Sequence, residues 1–462
     1  MCSIAGNSDI SHVKAMLSLM KHRSPDEEGV FYDDKFCMGM GRLAIIDLES
    51  KGLCPYIEGN TVLVFNGEIY NYKELRRELI KKDYDFRTVS DTEVLFKAYK
   101  EWGIECLDKL NGMFAFAIYN GESIFLARDI AGEKPLYYEE HPFRFSSEAK
   151  ALQWKCKEFP SASYGIYNIK SKKLVIKKWW EFKPRDLDKN YIKELEWLLE
   201  DSVKLRTQAD VKYALYYSGG IDSSLINTFH DFDHKLTYED KDYEKEFKKK
   251  IKQIVYHLDY PVNSFSSFGL WKLAEMAKRK GIKVVLSGEG ADELFGGYVR
   301  YIPDALYEQA QQKFPSYPAM FPIRKKLEEW CMEEFNGNLR ELLRMGDRMS
   351  SAFGIENRCP YLDRRIIEFA FSLPFNMKIN GFETKYILRR ILQKRNPQYK
   401  DIEKQGLFCS VNQWIGVKDK YDKKEYLKLQ NKTWKSYRLR SFAWFHFPAS
   451  PFCGSGHFLQ LY

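Results

Sequence analysis

The segment Tyr213-Ala-Leu-Tyr-Tyr-Ser-Gly-Gly-Ile-Asp-Ser-Ser224 places a short apolar run directly before a glycine-rich turn. Residues Tyr213–Tyr217 predict a strand, and the residues after the turn predict a helix. Two glycines let backbone amides approach an anion, and a helix N-terminus attracts negative charge. The turn lacks the spacing GxxxxGKS or GxxxxGKT, so it is not a Walker A loop. The segment therefore predicts a strand, an anion-binding turn and a helix.

The same order of elements occurs a second time further along the chain. A predicted helix over 270–280 precedes a predicted strand over Lys283–Leu286, which a second glycine-rich turn and a helix follow. Alternation of strands and helices favours a parallel sheet of the α/β class. From about residue 305 onward the pattern is mostly helical.

The N-terminal third has a different pattern, rich in short strands. Val62–Phe65 predicts a strand that ends in a turn at Asn66-Gly67, and apolar spacing predicts a helix over 72–83. Ser90 begins a capping-box pattern that opens a helix through Tyr99. Further strands are predicted at Phe114–Tyr119, Ser123–Ala127, Pro135–Tyr138 and Phe143–Ser146. This half predicts an α+β domain with helices on its sheets, and the boundary falls between about 155 and 190.

Composition excludes several classes of protein. The 462 residues are 44% hydrophobic and 30% charged with a net charge of +9, which indicates a globular chain of two to four domains. The basic run Glu244–Lys252 predicts a solvated helix face, and no nucleic-acid-binding motif accompanies it. Nine cysteines without a CxxC pair, and no leader pattern, predict a cytoplasmic protein with free thiols and no zinc site. Ser441–Tyr462 contains prolines and glycines and is not expected to span a membrane.

Cys2 is a candidate nucleophile. Removal of Met1 would place a thiol and an α-amine on one residue. Their pKa values, about 8.5 and about 7.7–8.0, allow the amine to act as the base for the thiol. No separate Cys-His pair is then required.

Five motifs that follow Cys2 in order resemble the class II glutamine amidotransferases, which are N-terminal-nucleophile hydrolases of the αββα sandwich type. The resemblance covers roughly residues 2–150. It implies that Cys2 attacks the glutamine amide and that the Asn66 side chain and the Gly67 N–H form an oxyanion hole. It also implies glutamine-binding roles for Arg42, Ile46, Glu68 and Asp91, with Arg42 on the carboxylate and Asp91 on the α-amine. The motifs are Lys21–Asp26, Arg42–Asp47, Phe65–Asn71, Ser90–Glu93 and Ala127–Asp129 with Gly132–Tyr138.

The turn after Tyr217 resembles the pyrophosphate-binding loop of ATP pyrophosphatases. This resemblance implies that Asp222 helps to bind Mg²⁺, which prefers oxygen ligands. The implied ATP-binding residues are Tyr217, Ser218, Gly219, Gly220, Asp222, Ser223, Ser287 and Gly288.

Motifs downstream resemble the glutamine-hydrolysing asparagine synthetases. By this resemblance Asp292 is a second Mg²⁺ ligand, Glu289 serves the β-aspartyl-adenylate step, and Lys385 stabilises charge on the phosphates. The implied fold joins the hydrolase domain to an α/β ATP-pyrophosphatase domain, of the adenine nucleotide α-hydrolase type, with a helical C-terminal part. The motifs are Leu286–Tyr298, Asp347–Ser350, Glu356–Asp363 and Lys385–Arg389.

The expected domains follow from these matches. They are an amidotransferase domain over 2–155, a linker over 156–190, an ATP-binding domain over 191–415 and a tail over 416–462. The expected enzyme is a ligase that amidates aspartate with ammonia from glutamine, using ATP and Mg²⁺. No nucleic acid or membrane partner is expected, and a homodimer is kept as one option.

Two alternatives remain open from the sequence. The same architecture could amidate another carboxylate, because the motifs identify ATP and ammonia delivery better than the acceptor. Alternatively, the chain could be a regulatory protein that binds glutamine and has an impaired synthetase domain. The segment between Ser224 and Gly288 is shorter than the family's pattern, which favours this second alternative.

Overall fold

The computed structural model describes residues 1–50, 53–262, 264–298, 301, 327–399, 409–417 and 423–444. Its N-terminal part contains two six-stranded antiparallel sheets. The strands are β1 (Ser3–Asn7), β2 (Glu27–Tyr32), β3 (Cys37–Arg42), β4 (Tyr56–Glu58), β5 (Thr61–Ile69), β6 (Gly112–Tyr119), β7 (Ser123–Arg128), β8 (Tyr137–Glu140), β9 (Phe143–Ser146), β10 (Lys157–Glu158), β11 (Ser163–Asn168) and β12 (Lys173–Lys178). The first sheet has the order β10-β8-β9-β1-β3-β2, and the second has the order β12-β11-β7-β6-β5-β4.

The two sheets face each other and share one core, in which Met40 of β3 lies against Phe65 of β5. Helix α1 packs on the outer face of the first sheet, and α3 packs on the second. This arrangement confirms the predicted αββα sandwich. The helices of this part are α1 (Ile10–Leu19), α2 (Tyr72–Ile80), α3 (Asp91–Trp102) and α4 (Cys106–Lys109).

The strand predictions of this half hold, except that the strand predicted over Pro135–Tyr138 begins at Tyr137 and runs to Glu140, and the predicted turn at Asn66-Gly67 is wrong. Strand β5 continues through both residues to Ile69, and they pair with Ala115 and Phe114 of β6. A side chain on Gly67 would meet the Met113 carbonyl oxygen at 2.1 Å, so this glycine is required by close backbone approach rather than by a turn.

Helix boundaries differ slightly from the predictions. The helix predicted over 72–83 ends at Ile80, because the chain reverses at Asp83, whose φ is 63°. Ser90 caps α3 by accepting from Thr92 N–H, as predicted. Glu93 does not complete the capping box, since its carboxylate accepts from the backbone of Arg87 and Thr88.

The second part is built on a four-stranded parallel sheet with the order β14-β13-β15-β16. This confirms the predicted α/β class, and α7 confirms the helix predicted from Glu244. Its strands are β13 (Tyr213–Tyr216), β14 (Lys235–Leu236), β15 (Val284–Leu286) and β16 (Glu356–Arg358). Its helices are α5 (Tyr191–Arg206), α6 (Ile221–Phe229), α7 (Glu244–Leu258), α8 (Ser266–Arg279), α9 (Ala291–Phe295), α10 (Leu327–Asn336), α11 (Asn338–Ser351), α12 (Arg364–Ser372), α13 (Phe375–Lys378), α14 (Tyr386–Arg395), α15 (Val411–Trp414) and α16 (Lys424–Trp444).

Two predicted segments have structure of their own. The linker expected over 156–190 contains β10, β11 and β12, which complete the two N-terminal sheets. The tail expected from residue 416 contains α16, which packs on α7, and its Gln430 exchanges two hydrogen bonds with the backbone of Val262. Residues 445–462 lie outside the described part of the chain. Within the described ranges, none of the helices has the length and apolar character needed to cross a membrane.

Candidate active sites

The residues predicted to bind glutamine meet at one cleft in the N-terminal domain. Cys2, which directly precedes β1, lines this cleft. The predicted residues on its walls are Arg42, Ile46, Gly67, Glu68 and Asp91. Residues brought from β3, β5 and α3 therefore surround the candidate nucleophile.

Asn66 lies beside Cys2 and carries an unused donor. Its Oδ1 atom accepts a hydrogen bond of 3.0 Å from the Cys2 backbone N–H. Its Nδ2 atom is buried and has no hydrogen-bond partner among the described residues. A buried amide donor is seldom left unpaired, so this atom is available to a charge that forms at the nucleophile.

Arg42 and Asp91 offer opposite charges to the cleft. The Arg42 guanidinium is held by the carbonyl oxygens of Ile46 and Asp47 at 2.9 and 2.7 Å. The Asp91 carboxylate accepts from Ile69 N–H at 3.0 Å, and burial raises its pKa to about 6. The pair matches the carboxylate and the α-ammonium of an amino acid.

The second domain also contributes to this cleft, which the sequence analysis did not predict. Glu356 of β16 lines it, and Arg358 donates to Glu68 at 2.7 Å across the domain boundary. Burial, followed by the neighbouring Asp91, raises the pKa of Glu68. A strand presents every second side chain to the same side, so the sequence could have indicated that Glu356 and Arg358 face one site together.

The start of the chain is buried against the same strand. The Met1 ammonium lies 3.7 Å from Oε2 of Glu356. Burial lowers the pKa of this ammonium to about 6, although Glu356 acts in the opposite direction. Burial raises the pKa of the Cys2 thiol.

The glycine-rich turn after β13 has the predicted form. Gly219 has a φ of 76°, which favours glycine, and the Ser218 hydroxyl accepts from Gly220 N–H at 3.3 Å. Ser223, in the first turn of α6, receives a 3.2 Å hydrogen bond from Ser218 N–H. Hydroxyls and amides therefore gather at a helix N-terminus, which suits a phosphate group. Tyr217 lies next to this turn, where its hydroxyl contacts Ser224.

Asp222, Asp292 and Lys385 converge beside this turn. The Lys385 ammonium lies 2.6 Å from both Asp222 carboxylate oxygens and 2.7 Å from Asp292. Burial alone would lower the pKa of Lys385, but the two carboxylates outweigh it and raise that pKa. The second glycine-rich turn is in contact, because a Cβ on Gly288 would lie 2.8 Å from the Asp222 Cβ.

Glu289 lies in a partly buried position beside the parallel sheet. Ser287 donates a short hydrogen bond to its Oε2 atom, and Asn357 Nδ2 donates to the same atom at 3.1 Å. Cys359 Sγ lies 3.6 Å away. Asn357 and Cys359 had no role assigned from the sequence, since their contact with Glu289 depends on the pairing of β15 with β16.

Comparisons with known proteins agree with this architecture. Residues 1–175 match the family model described as glutamine amidotransferase domain. Segments 194–235, 230–340 and 319–443 match the model described as asparagine synthase. Asparagine synthetase B (glutamine-hydrolyzing) of Escherichia coli is 33% identical, over 86% of this chain and 80% of the relative. Asparagine synthetase (glutamine-hydrolyzing) 1 of Bacillus subtilis is 28% identical, over 87% of this chain and 84% of the relative.

The fold and the two sites thus define an N-terminal-nucleophile amidotransferase domain joined to an asparagine synthase domain. The chain belongs to the family of glutamine-hydrolysing asparagine synthetases.

Proposed function

We propose that this chain converts aspartate, ATP and glutamine to asparagine, AMP, pyrophosphate and glutamate. One observation carries the proposal: strand β16 has Glu356 in the glutamine cleft and Asn357 on Glu289, so a single short strand borders both sites. A carboxylate is a poor electrophile, and adenylation activates it. Free ammonia is mostly protonated at neutral pH, which favours its production inside the same molecule.

At the first site Cys2 attacks the glutamine amide after Met1 has been removed. The free α-amine of Cys2 takes the thiol proton and returns it to the leaving ammonia. Asn66 Nδ2 and the Gly67 N–H stabilise the oxyanion. This role of Asn66 is supported by the buried Nδ2 atom, which has no hydrogen-bond partner among the described residues. Arg42 binds the glutamine carboxylate, and Asp91 with Glu68 binds its ammonium.

At the second site ATP binds with its phosphates on the turn Ser218–Ser223. Lys385 neutralises charge on the phosphates, and Ser287 with Gly288 contacts the nucleotide. The aspartate β-carboxylate attacks the α-phosphorus, pyrophosphate leaves, and ammonia then displaces AMP from the acyl carbon. Glu289 acts in the β-aspartyl-adenylate step, a role supported by its contacts with Ser287, which directly follows β15, and with Asn357 of β16.

The residues present fit a magnesium ion. Asp222 and Asp292 direct carboxylate oxygens at one cation, the Lys385 ammonium. In the described ranges no cluster of three or more His, Cys, Asp or Glu side chains could hold a metal. Mg²⁺ commonly takes one or two carboxylates and completes its shell with phosphate oxygens and water. Bound there, the ion would neutralise phosphate charge, and we assign Asp222 and Asp292 as its ligands.

The test is pyrophosphate release by the full chain with Mg-ATP, aspartate and glutamine, each omitted in turn. We expect release to require both ATP and aspartate, and asparagine to form when glutamine or ammonium is added. Replacing aspartate by glutamate or succinate is the matched control for the acceptor. Release with one of these acids and not with aspartate would assign a different carboxylate. Glutamate formation without any acid-dependent pyrophosphate would mean that the second domain does not adenylate.

A further inference from the structure

The side chain of Asn357 is buried next to Glu289 with only one end of its amide in use. The residue is 8% exposed, and its Nδ2 atom donates to Glu289 Oε2 at 3.1 Å. Its Oδ1 atom is buried and has no partner among the described residues. A buried carbonyl oxygen without a donor is unusual in a folded protein and points to a ligand.

The orientation of this amide follows from the chemistry of its neighbour. A carboxylate offers acceptors only, so the amide must present its N–H group to Glu289. Oδ1 then occupies the other corner of the same planar group. The acceptor is therefore held in place by the contact with Glu289.

Helix α11 passes close to this amide at Gly346. A Cβ on Gly346 of α11 would lie 3.3 Å from Asn357 Nδ2 and 3.4 Å from Glu289 Oε1. Any larger side chain at position 346 would press on both groups. Glycine at this position therefore permits the close approach of α11 to Asn357 and Glu289.

Strand β16 also connects this point to the source of ammonia. Glu356 lines the glutamine cleft and Arg358 contacts Glu68 there, while Asn357 and Cys359 face Glu289. Alternate residues of one strand therefore border the site that releases ammonia and the site that consumes it.

We propose that Asn357 Oδ1 is a docking acceptor for ammonia beside the acyl-adenylate, an inference that rests on the proposed function. Ammonia carries three N–H donors, which need acceptors where water is excluded. An amide oxygen accepts a hydrogen bond from one of those donors and leaves the nitrogen lone pair free to attack the acyl carbon. No proton is transferred in this binding step.

The experiment measures asparagine synthesis by the full chain with ammonium chloride instead of glutamine. For Asn357→Ala we expect the KM for ammonia to rise about tenfold, the loss of one hydrogen bond to a small ligand. The KM values for aspartate and ATP should stay within about twofold. Asn357→Ser, whose hydroxyl can still accept, should recover part of the affinity. With glutamine, the Ala variant should form more glutamate than asparagine, because ammonia escapes before it reacts.

Asn412→Ala is the control, because Asn412 is another buried asparagine, and it lies outside both sites. It should leave the KM for ammonia unchanged. If Asn357→Ala does not fold, Asn357→Leu has the same branching and lacks the acceptor, so the same rise is expected. An unchanged KM for ammonia, or an equal rise in all three KM values, would overturn the proposal. Failure of the proposed function is seen separately, as absence of asparagine in the unmodified chain.

Discussion

Arg23 of the first domain forms a two-point ion pair with Asp347 of the second, with N–O distances of 2.8 and 3.0 Å. The Arg23 Nε–H also donates to the Cys2 carbonyl oxygen at 3.1 Å. Arg23 is fully buried, and Asp347 is 4% exposed. The backbone of the candidate nucleophile is therefore tied, through one guanidinium, to helix α11 of the other domain.

Removal of the carboxylate from this pair should destabilise the chain strongly. Asp347→Ala leaves Arg23 buried with less compensation, and breaking such a pair typically costs about 3–5 kcal/mol. Denaturant unfolding measures the loss. The control is Asp108→Ala. Asp108 is largely exposed and forms a long ion pair of 3.8 Å with Arg364, so this pair should contribute at most about 1 kcal/mol. Equal losses in the two variants would contradict the structural role of the Arg23–Asp347 pair.

Substitution of the nucleophile should separate the two activities. Cys2→Ala removes the thiol but none of the groups around Asp222, so glutamine hydrolysis should fall below detection. Ammonia-dependent asparagine formation should stay within about twofold. Glutamate release and asparagine formation are measured in parallel, with Cys37→Ala, another buried cysteine, as the control. Loss of both activities in a folded Cys2 variant would argue against two separate sites.

Asp222→Asn should block adenylation and leave glutaminase activity intact. The change keeps the shape of the side chain, but it removes the charge that faces Lys385 and the proposed magnesium site. We expect aspartate-dependent pyrophosphate release to fall at least a hundredfold. Asp231→Asn makes the same change at an exposed position and should have no effect. Normal pyrophosphate release by Asp222→Asn would remove this residue from the ATP site.

Glutamine use should depend on pH through Asp91. Its pKa is raised to about 6 by burial, so the carboxyl is protonated below that pH and charged above it. Only the charged form attracts the glutamine ammonium. We therefore expect protonation of Asp91 to lower kcat/KM for glutamine by about tenfold per pH unit below 6, in addition to the loss caused by protonation of the Cys2 α-amine.

The Asp91→Asn variant isolates this contribution from those of Glu68 and Glu356. Its amide oxygen can still accept from Ile69 N–H, so the fold should be preserved. The variant should have low kcat/KM at all pH values and should lack the additional loss below pH 6. An additional loss of the same size in the variant would assign the pH dependence to another group.

The sequence predicts much of the fold and most of the first site, because those features depend on local order. Cys2, Arg42, Gly67 and Asp91 lie in motifs that occur in a fixed order, and they meet in the predicted cleft. The residues that the sequence did not assign depend on contacts between distant segments. Glu356 reaches the cleft only because β16 pairs with β15 at the domain boundary.

The Asn66-Gly67 pair illustrates the same limit. In isolation this dipeptide is typical of a hairpin turn. Pairing with β6 keeps both residues in an extended strand, and the missing side chain of Gly67 admits the neighbouring backbone. Local propensity predicted the wrong conformation here, because the sheet and the candidate oxyanion hole determine it.

The most direct test of internal ammonia transfer follows labelled nitrogen from the glutamine site to the synthetase site. Glutamine labelled with ¹⁵N in its amide is supplied with Mg-ATP, aspartate and an excess of unlabelled ammonium, and the asparagine is analysed by mass spectrometry. The account predicts asparagine whose amide carries mainly ¹⁵N, because ammonia passes internally from Cys2 to the acyl-adenylate. Asparagine labelled only in proportion to the bulk ammonium, or no asparagine, would contradict it.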